Sequence, residues 1–303
     1  MIFSARPEAY EDLGQQSEIH ERLAKGLLVA DGALGTMLQA QGLAPGEPPE
    51  RWNITRPKAV QAIHKAYLSV GCDLVETNTF GANRLRLKGY GLDRQVAASN
   101  RKAVQLARRA WTSGHVVAGA VGPTGSFEKG KHKGSRVEIA AAFEEQVSHL
   151  VQAGVDLILI ETMTHLAEAR IALQAARQNL AIPVAVSLTF FEQRGRVITL
   201  DGASPQEAVR ELSAAQVVGC NCMDAEMMSN VLREMREVTD LPLLAQPHAG
   251  LPEQRKKGTY PLTPEGMIHR LPSLLASTLG ILGGCCGTTP AHLEAVVRSL
   301  HRR

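Results

Sequence analysis

Eight times along this chain a short strand-like run built on apolar residues is followed by a stretch with helical spacing, and this alternation constrains the fold more than any other feature. The runs occupy residues 26–31, 72–78, 116–121, 155–161, 184–188, 217–222, 243–246 and 278–282. Such runs suit strands buried on both faces, as in a parallel sheet. Between them, Val60, Ile63, Tyr67 and Val70 mark one helix face, and Ile139, Phe143, Val147 and Leu150 another. Further helices are expected over 95–112, 165–178 and 225–238. Ser204-Pro205-Gln206-Glu207 reads as a capping box, and Thr263-Pro264 and Thr289-Pro290 as helix starts. Eight strand–helix units in 303 residues predict a single α/β domain, a (β/α)8 TIM barrel over 26–303. A doubly wound sheet is the alternative, but eight units without a break in composition favour a closed barrel. Ile19 and Leu23 suggest a helical extension over residues 1–25.

Composition narrows the function classes. A net charge of +3 is too small to argue for nucleic acid, and 4% aromatic residues are too few for a base-stacking surface. Residues 1–14 hold no apolar core of signal-peptide length, and no run reaches the roughly 18 apolar residues of a membrane span. The five cysteines, Cys72, Cys220, Cys222, Cys285 and Cys286, are odd in number and clustered late. Reduced thiols in a cytoplasmic protein are therefore expected, rather than a disulfide framework.

Barrel chemistry sits at the C-terminal ends of the strands. Those ends carry Asp31-Gly32, Asn78-Thr79-Phe80, Glu161, Asn221-Cys222, Gln246-Pro247-His248 and Cys285-Cys286. Glycines around Cys285-Cys286 let the chain turn so that neighbouring thiols face one point. The sixth and eighth strands are one strand apart, so Cys222 can join them across the mouth. Three thiolates hold zinc in a tetrahedral frame with one corner open. Cys220 shares a face with Cys222 if the strand is regular, and is read as a core thiol; Cys72 lies at the opposite end of the barrel. An open corner on a thiolate-rich site suits activation of a substrate thiol. Asp31 and Glu161 form a carboxylate pair for an ammonium, and backbone N–H groups at Gly32, Ala33 and Phe80 suit a carboxylate. Thr79 and Asn221 complete the expected substrate-contacting set. His248 is a further candidate contact. The basic loops 124–136 and 248–261 are read as solvated surface, with a mobile lid as the alternative.

The stretches Asp31-Gly32-Ala33-Leu34-Gly35-Thr36, Glu76-Thr77-Asn78-Thr79-Phe80-Gly81-Ala82-Asn83, Gly122-Pro123-Thr124-Gly125, Glu161-Thr162, Gly219-Cys220-Asn221-Cys222 and Gly283-Gly284-Cys285-Cys286-Gly287-Thr288-Thr289-Pro290 resemble the zinc-dependent homocysteine S-methyltransferase family. That family includes the homocysteine module of cobalamin-dependent methionine synthase, the betaine-dependent enzymes and the S-methylmethionine-dependent enzymes. The resemblance runs from about Leu28 to about Leu300. It implies zinc on Cys222, Cys285 and Cys286, and L-homocysteine held by Asp31 and Glu161 with main-chain contacts near Gly32 and Phe80. Gly81 stands where the betaine branch has tyrosine. Met223-Asp224 and His248 also depart from the family pattern, and bear on the donor rather than on zinc. The expected reaction is methyl transfer to the homocysteine thiol, giving L-methionine. The donor is S-methylmethionine, S-adenosylmethionine, or methylcobalamin carried by another domain or protein, because none of the ten histidines has Asp two residues before it, as a cobalamin-binding element requires. A homocysteine module of a larger synthase is thus a second expectation, and a non-catalytic zinc-storing or redox-sensing barrel a third. A Schiff-base aldolase would need a lysine where the sixth strand ends in Asn221-Cys222.

Overall fold

The computed structural model describes residue 19 and residues 21–110, 114–127, 134–178, 182–250 and 260–301. Eight strands form one parallel sheet: β1 (Leu28–Val29), β2 (Leu74–Glu76), β3 (Val116–Val121), β4 (Leu157–Met163), β5 (Val184–Leu188), β6 (Val217–Asn221), β7 (Leu243–Gln246) and β8 (Leu279–Leu282). Each is followed by a helix: α1 (Pro57–Ser69), α2 (Val96–Ala110), α3 (Arg136–Gln152), α4 (Leu166–Ala176), α5 (Pro205–Glu211), α6 (Ala225–Arg236), α7 (Pro264–Leu275) and α8 (Pro290–His301). The strand order is β1-β8-β7-β6-β5-β4-β3-β2. A parallel bridge between Ala30 and Leu74, with the Asp31 N–H donating to the Leu74 carbonyl, joins the two ends. The eightfold alternation has therefore folded as a single TIM barrel.

Alternation along each strand sorts the core into two parts. Leu28, Ala30, Leu74, Val116, Ala118, Leu157, Leu159, Ala185, Val217, Leu244 and Ile281 form one buried cluster, the filling of the barrel. Their immediate neighbours Val29, Val75, Val117, Ile158, Ile160, Val184, Val186, Val218, Leu243 and Leu282 belong to the other, between sheet and helices. Ile19 and the partly buried Leu23 pack against the filling, so the described part of the N-terminal extension, helical over 21–25, serves the barrel core.

Most element boundaries match the sequence reading within a few residues. The Ser204–Glu207 capping box forms with both of its hydrogen bonds, and Ser135 and Glu138 make a second. A small antiparallel hairpin, Phe191–Gln193 with Arg196–Ile198, interrupts the connection from β5 to α5 and was not expected. Thr289 meets the His292 ring through its hydroxyl as well as its N–H. Most of the expected extension, residues 1–18, lies outside the described residues, as do 128–133 and 251–259 of the two basic loops. Among the described residues no helix is long and apolar enough to cross a membrane.

Candidate metal and substrate site

At the C-terminal mouth of the barrel the apolar filling gives way to polar groups. Two residues beyond Leu74, Leu159 and Leu244 stand Glu76, Glu161 and Gln246, and Asn221 lies four beyond Val217, all on the inward face by strand alternation. Above them opens a cavity of about 370 Å³, whose walls include Glu76, Phe80, Glu161, Tyr260 and all three late thiols.

The sulfurs of Cys222, Cys285 and Cys286 lie within 4.8 Å of one another, and those of Cys222 and Cys286 are 3.7 Å apart. This is the only such group of three metal-capable side chains among the described residues. Cys222 reaches it because the strand breaks: its φ of 58° is a left-handed conformation that a side chain adopts only at a cost of roughly 1 kcal/mol or more. Its N–H still donates to the Gln246 carbonyl, so the turn stays tied to β7. The expectation that Cys220 and Cys222 share a face fails for this reason. Cys220 packs, fully buried, between sheet and helices, while Cys222 turns into the mouth. Cys72 is likewise buried in the outer core.

The Cys285-Cys286 turn is braced on both sides. The Gly284 N–H donates to the Asp31 carbonyl, the Cys285 N–H to the Pro247 carbonyl and the Ala249 N–H to the Cys286 carbonyl. Thr288 closes the turn by donating to the Cys285 carbonyl, and accepts from the Ala33 N–H. Gly287, at φ 80°, lies under the Tyr260 ring so closely that an added Cβ would fall 2.1 Å from it. Hydrogen bonding from Cys222 and then Cys285 holds the Cys286 thiol well below the usual thiol range, while the bond with Cys222 raises Cys285. Three crowded sulfurs thus compete for protons.

Asn221 links the metal-capable corner to the acidic one. Its Nδ2 donates to the Thr162 hydroxyl at 2.7 Å, approaches Glu161 Oε2 at 3.3 Å and lies 4.0 Å from the Cys285 sulfur. Its Oδ1 accepts from the Thr162 N–H and the Ser187 hydroxyl. Thr162 is itself left-handed, at φ 57°, and this clamp holds it there. Asn221 is fully buried, and its side chain ties Thr162, Ser187 and Glu161 together.

Asp31 is also fully buried and does not line the cavity. Both its oxygens accept from the Glu76 N–H, at 3.2 and 3.1 Å. Glu76, which the sequence reading did not single out, faces the cavity beside Glu161. It could have been found by continuing the alternation past Leu74. Thr79 points its hydroxyl into the wall, to the Ala120 carbonyl, and the Ala33 N–H is taken by Thr288. The N–H groups of Gly32 and Phe80, by contrast, have no acceptor among the described residues. The Phe80 ring lies where a Cβ on residue 122 would come within 2.5 Å, so Gly122 makes room for it. His248 is half-buried and accepts from the Gly250 N–H through Nδ1.

Burial raises all three carboxyls; the charge of Glu76 adds to the effect at Asp31 and Glu161, and Glu76 is brought to about 7. A carboxyl whose folded value exceeds its unfolded value contributes stability that is complete below the ordinary value of 4.5 and lost as pH rises through about 7. Relative to Glu76→Gln, the metal-free wild-type protein is therefore expected to lose urea resistance between about pH 5 and about pH 8. Urea midpoints of the two proteins across this range check it, and a difference that does not change with pH refutes it.

A family model described as homocysteine S-methyltransferase matches residues 28–300. Methionine synthase of Mycobacterium leprae is 32% identical over an alignment that takes in 94% of this chain and 25% of the relative. The Mycobacterium tuberculosis methionine synthase is 31% identical with the same coverage, so the chain spans about a quarter of the length of these relatives. The metallated homocysteine methyltransferase MmuM of Escherichia coli is 26% identical, with a TM-score of 0.77, over 90% of this chain and 96% of that one.

Proposed function

This chain belongs to the homocysteine S-methyltransferase family, and from that premise we propose that it methylates the thiol of L-homocysteine, forming L-methionine. The observation that carries the proposal is the meeting of three thiols and a carboxylate-rich floor at one cavity. The sulfurs suit zinc: tetrahedral Zn–S bonds of about 2.3 Å imply S···S edges of roughly 3.8 Å, beside the 3.7 Å between Cys222 and Cys286. Bound there, zinc would supply the Lewis acid that lowers the pKa of an incoming thiol while leaving its sulfur nucleophilic.

The chain's own groups then orient the amino acid. The acidic floor receives its ammonium, with Glu161 in the cavity wall and Asp31 beneath. The Gly32 and Phe80 N–H groups receive its carboxylate. Phe80 and Tyr260 wall the cavity with apolar surface that keeps water from the sulfur. In the transfer, the new S–CH3 bond forms on homocysteine as the donor's bond to the methyl carbon breaks in line. The thiol proton is released.

A small sulfonium donor such as S-methylmethionine suits a cavity of about 370 Å³ and a chain that covers nearly the whole of the compact Escherichia coli relative. The short span relative to the mycobacterial synthases supports a second reading, a module served by methylcobalamin on another domain or protein. A side chain at Gly81, where the betaine branch has tyrosine, would come within 2.9 Å of Glu50 Oε1 and 3.0 Å of the Arg86 stem, so this wall of the cavity is built around a glycine. Methionine formation by zinc-loaded and zinc-stripped protein, with S-methylmethionine, S-adenosylmethionine, betaine and methylcobalamin in parallel, tests the proposal. Zinc-dependent product from one of these donors is expected. No product from any of them, together with no homocysteine binding by calorimetry, would leave a non-catalytic barrel as the reading.

A further inference from the structure

The wall across the mouth from the thiols carries a charge that binding of homocysteine leaves unused. β2 stands four strands from β6 in the ring of eight, so the chain that follows β2 lies opposite the strand that delivers Cys222. There a short helix, Arg84–Lys88, sets Arg86 into the cavity wall, its N–H held by Asn83 Oδ1 at 2.9 Å. Among the described residues that line the cavity, Arg86 is the single lysine, arginine or histidine. It is half-buried, and its guanidinium lies over the Phe80 ring, 5.6 Å from the centroid. Glu50, on the far side of Gly81, is committed elsewhere: it is buried, and its Oε1 accepts the Gly81 N–H at 2.5 Å. Among the described residues no carboxylate lies within ion-pair distance of Arg86, and no oxygen accepts a hydrogen bond from its guanidinium. Tyr90, four residues on and 46% exposed, lines the same cavity, so this wall reaches the rim by which a second substrate enters.

A guanidinium laid on an aromatic ring keeps its edge N–H groups in one fixed plane, the arrangement that grips a carboxylate through two parallel hydrogen bonds. The carboxylate of homocysteine already has the Gly32 and Phe80 N–H groups. We infer that Arg86 is a donor-specificity residue, whose guanidinium receives the carboxylate of a sulfonium amino acid while the methyl-bearing sulfur points toward the thiols. The inference rests on the methyltransferase reading and narrows its donor. Glu50, Glu76 and Glu161 line the cavity and favour a cationic donor, and Arg86 selects among cations the one that also carries a carboxylate. Methylcobalamin offers no carboxylate for it.

The test compares kcat/KM for S-methylmethionine with that for (3-aminopropyl)dimethylsulfonium, which lacks only the carboxylate, at saturating L-homocysteine on zinc-loaded protein. Wild-type protein is expected to prefer S-methylmethionine. Arg86→Gln should lower kcat/KM for S-methylmethionine by roughly 10- to 100-fold, mainly through KM. It should not slow the analogue, and calorimetric affinity for homocysteine should stay within about twofold. Arg86→Lys keeps the charge without the fork, should lose part of the preference, and carries the test if Arg86→Gln does not fold. An unchanged preference, an equal loss for both donors, or a matching loss of homocysteine affinity overturns the role of Arg86 and leaves the methyltransferase reading in place. So does wild-type protein that uses methylcobalamin and neither sulfonium. Wild-type protein that neither binds homocysteine nor consumes any donor overturns the methyltransferase reading and this inference with it.

Discussion

Replacing Cys286 with alanine is expected to remove bound zinc almost completely and to lower the rate of methionine formation by at least roughly 10³-fold. Two sulfurs cannot enclose a tetrahedral ion, and Lewis-acid activation contributes several kcal/mol to such a reaction, with each 1.4 kcal/mol worth about tenfold in rate. Cys222 and Cys285 should behave alike, since the three sulfurs form one group. Cys220→Ala is the control that gives this meaning. That thiol lies two residues from Cys222 yet packs in the outer core, so its loss should cost about 1 kcal/mol of stability and leave zinc in place. Metal analysis by atomic emission, together with rates measured on the same preparations, checks both halves. Full zinc occupancy in Cys286→Ala would show that the cluster is not the metal site.

Gly219→Ala should be nearly as damaging without touching a single functional group. Gly219 pairs with Leu244 across β6 and β7, and an added Cβ would lie 2.1 Å from the Leu244 carbonyl oxygen. Backbone in the middle of a sheet cannot step aside as a side-chain end can. The variant is expected to lose about 3 kcal/mol of stability, seen as a lower urea midpoint. It should also bind zinc more weakly, because the bond from the Cys222 N–H to the Gln246 carbonyl depends on the same strand pair. A variant with wild-type midpoint and full zinc would show that the two strands can separate locally at no cost.

The barrel was legible because its strands are buried along most of both faces and so read as short apolar-rich runs. Boundaries blurred where pairing is short. β1 and β2 are only Leu28–Val29 and Leu74–Glu76, although longer apolar runs surround them. The thiols were legible because two of them sit in a glycine frame and the third ends a strand. What could not be read was the route by which Cys222 arrives. Strand alternation puts residues 220 and 222 on one face, and only a left-handed residue at the strand end separates them. No local signal announces that conformation when the residue is not glycine. Glu76 and Gln246 escaped for the opposite reason. Their positions follow from simple alternation, but each resembles an ordinary polar strand end until its neighbours across the ring are known. Asp31 was placed correctly along the chain, yet its burial beneath Glu76 depends on the chain turning after Ala30. The hairpin over 191–198 was hidden by its position inside a connection expected to be irregular.

β8 is inserted between β1 and β7, the first and the seventh strands of the ring. A polypeptide leaving the ribosome therefore carries Cys222 as the single thiol of the site until the turn at Cys285 and Cys286 has been made and set into its slot. Capture of the ion is then the closing event of assembly, and a nascent barrel missing its final strand has neither a sealed wall nor a grip on metal.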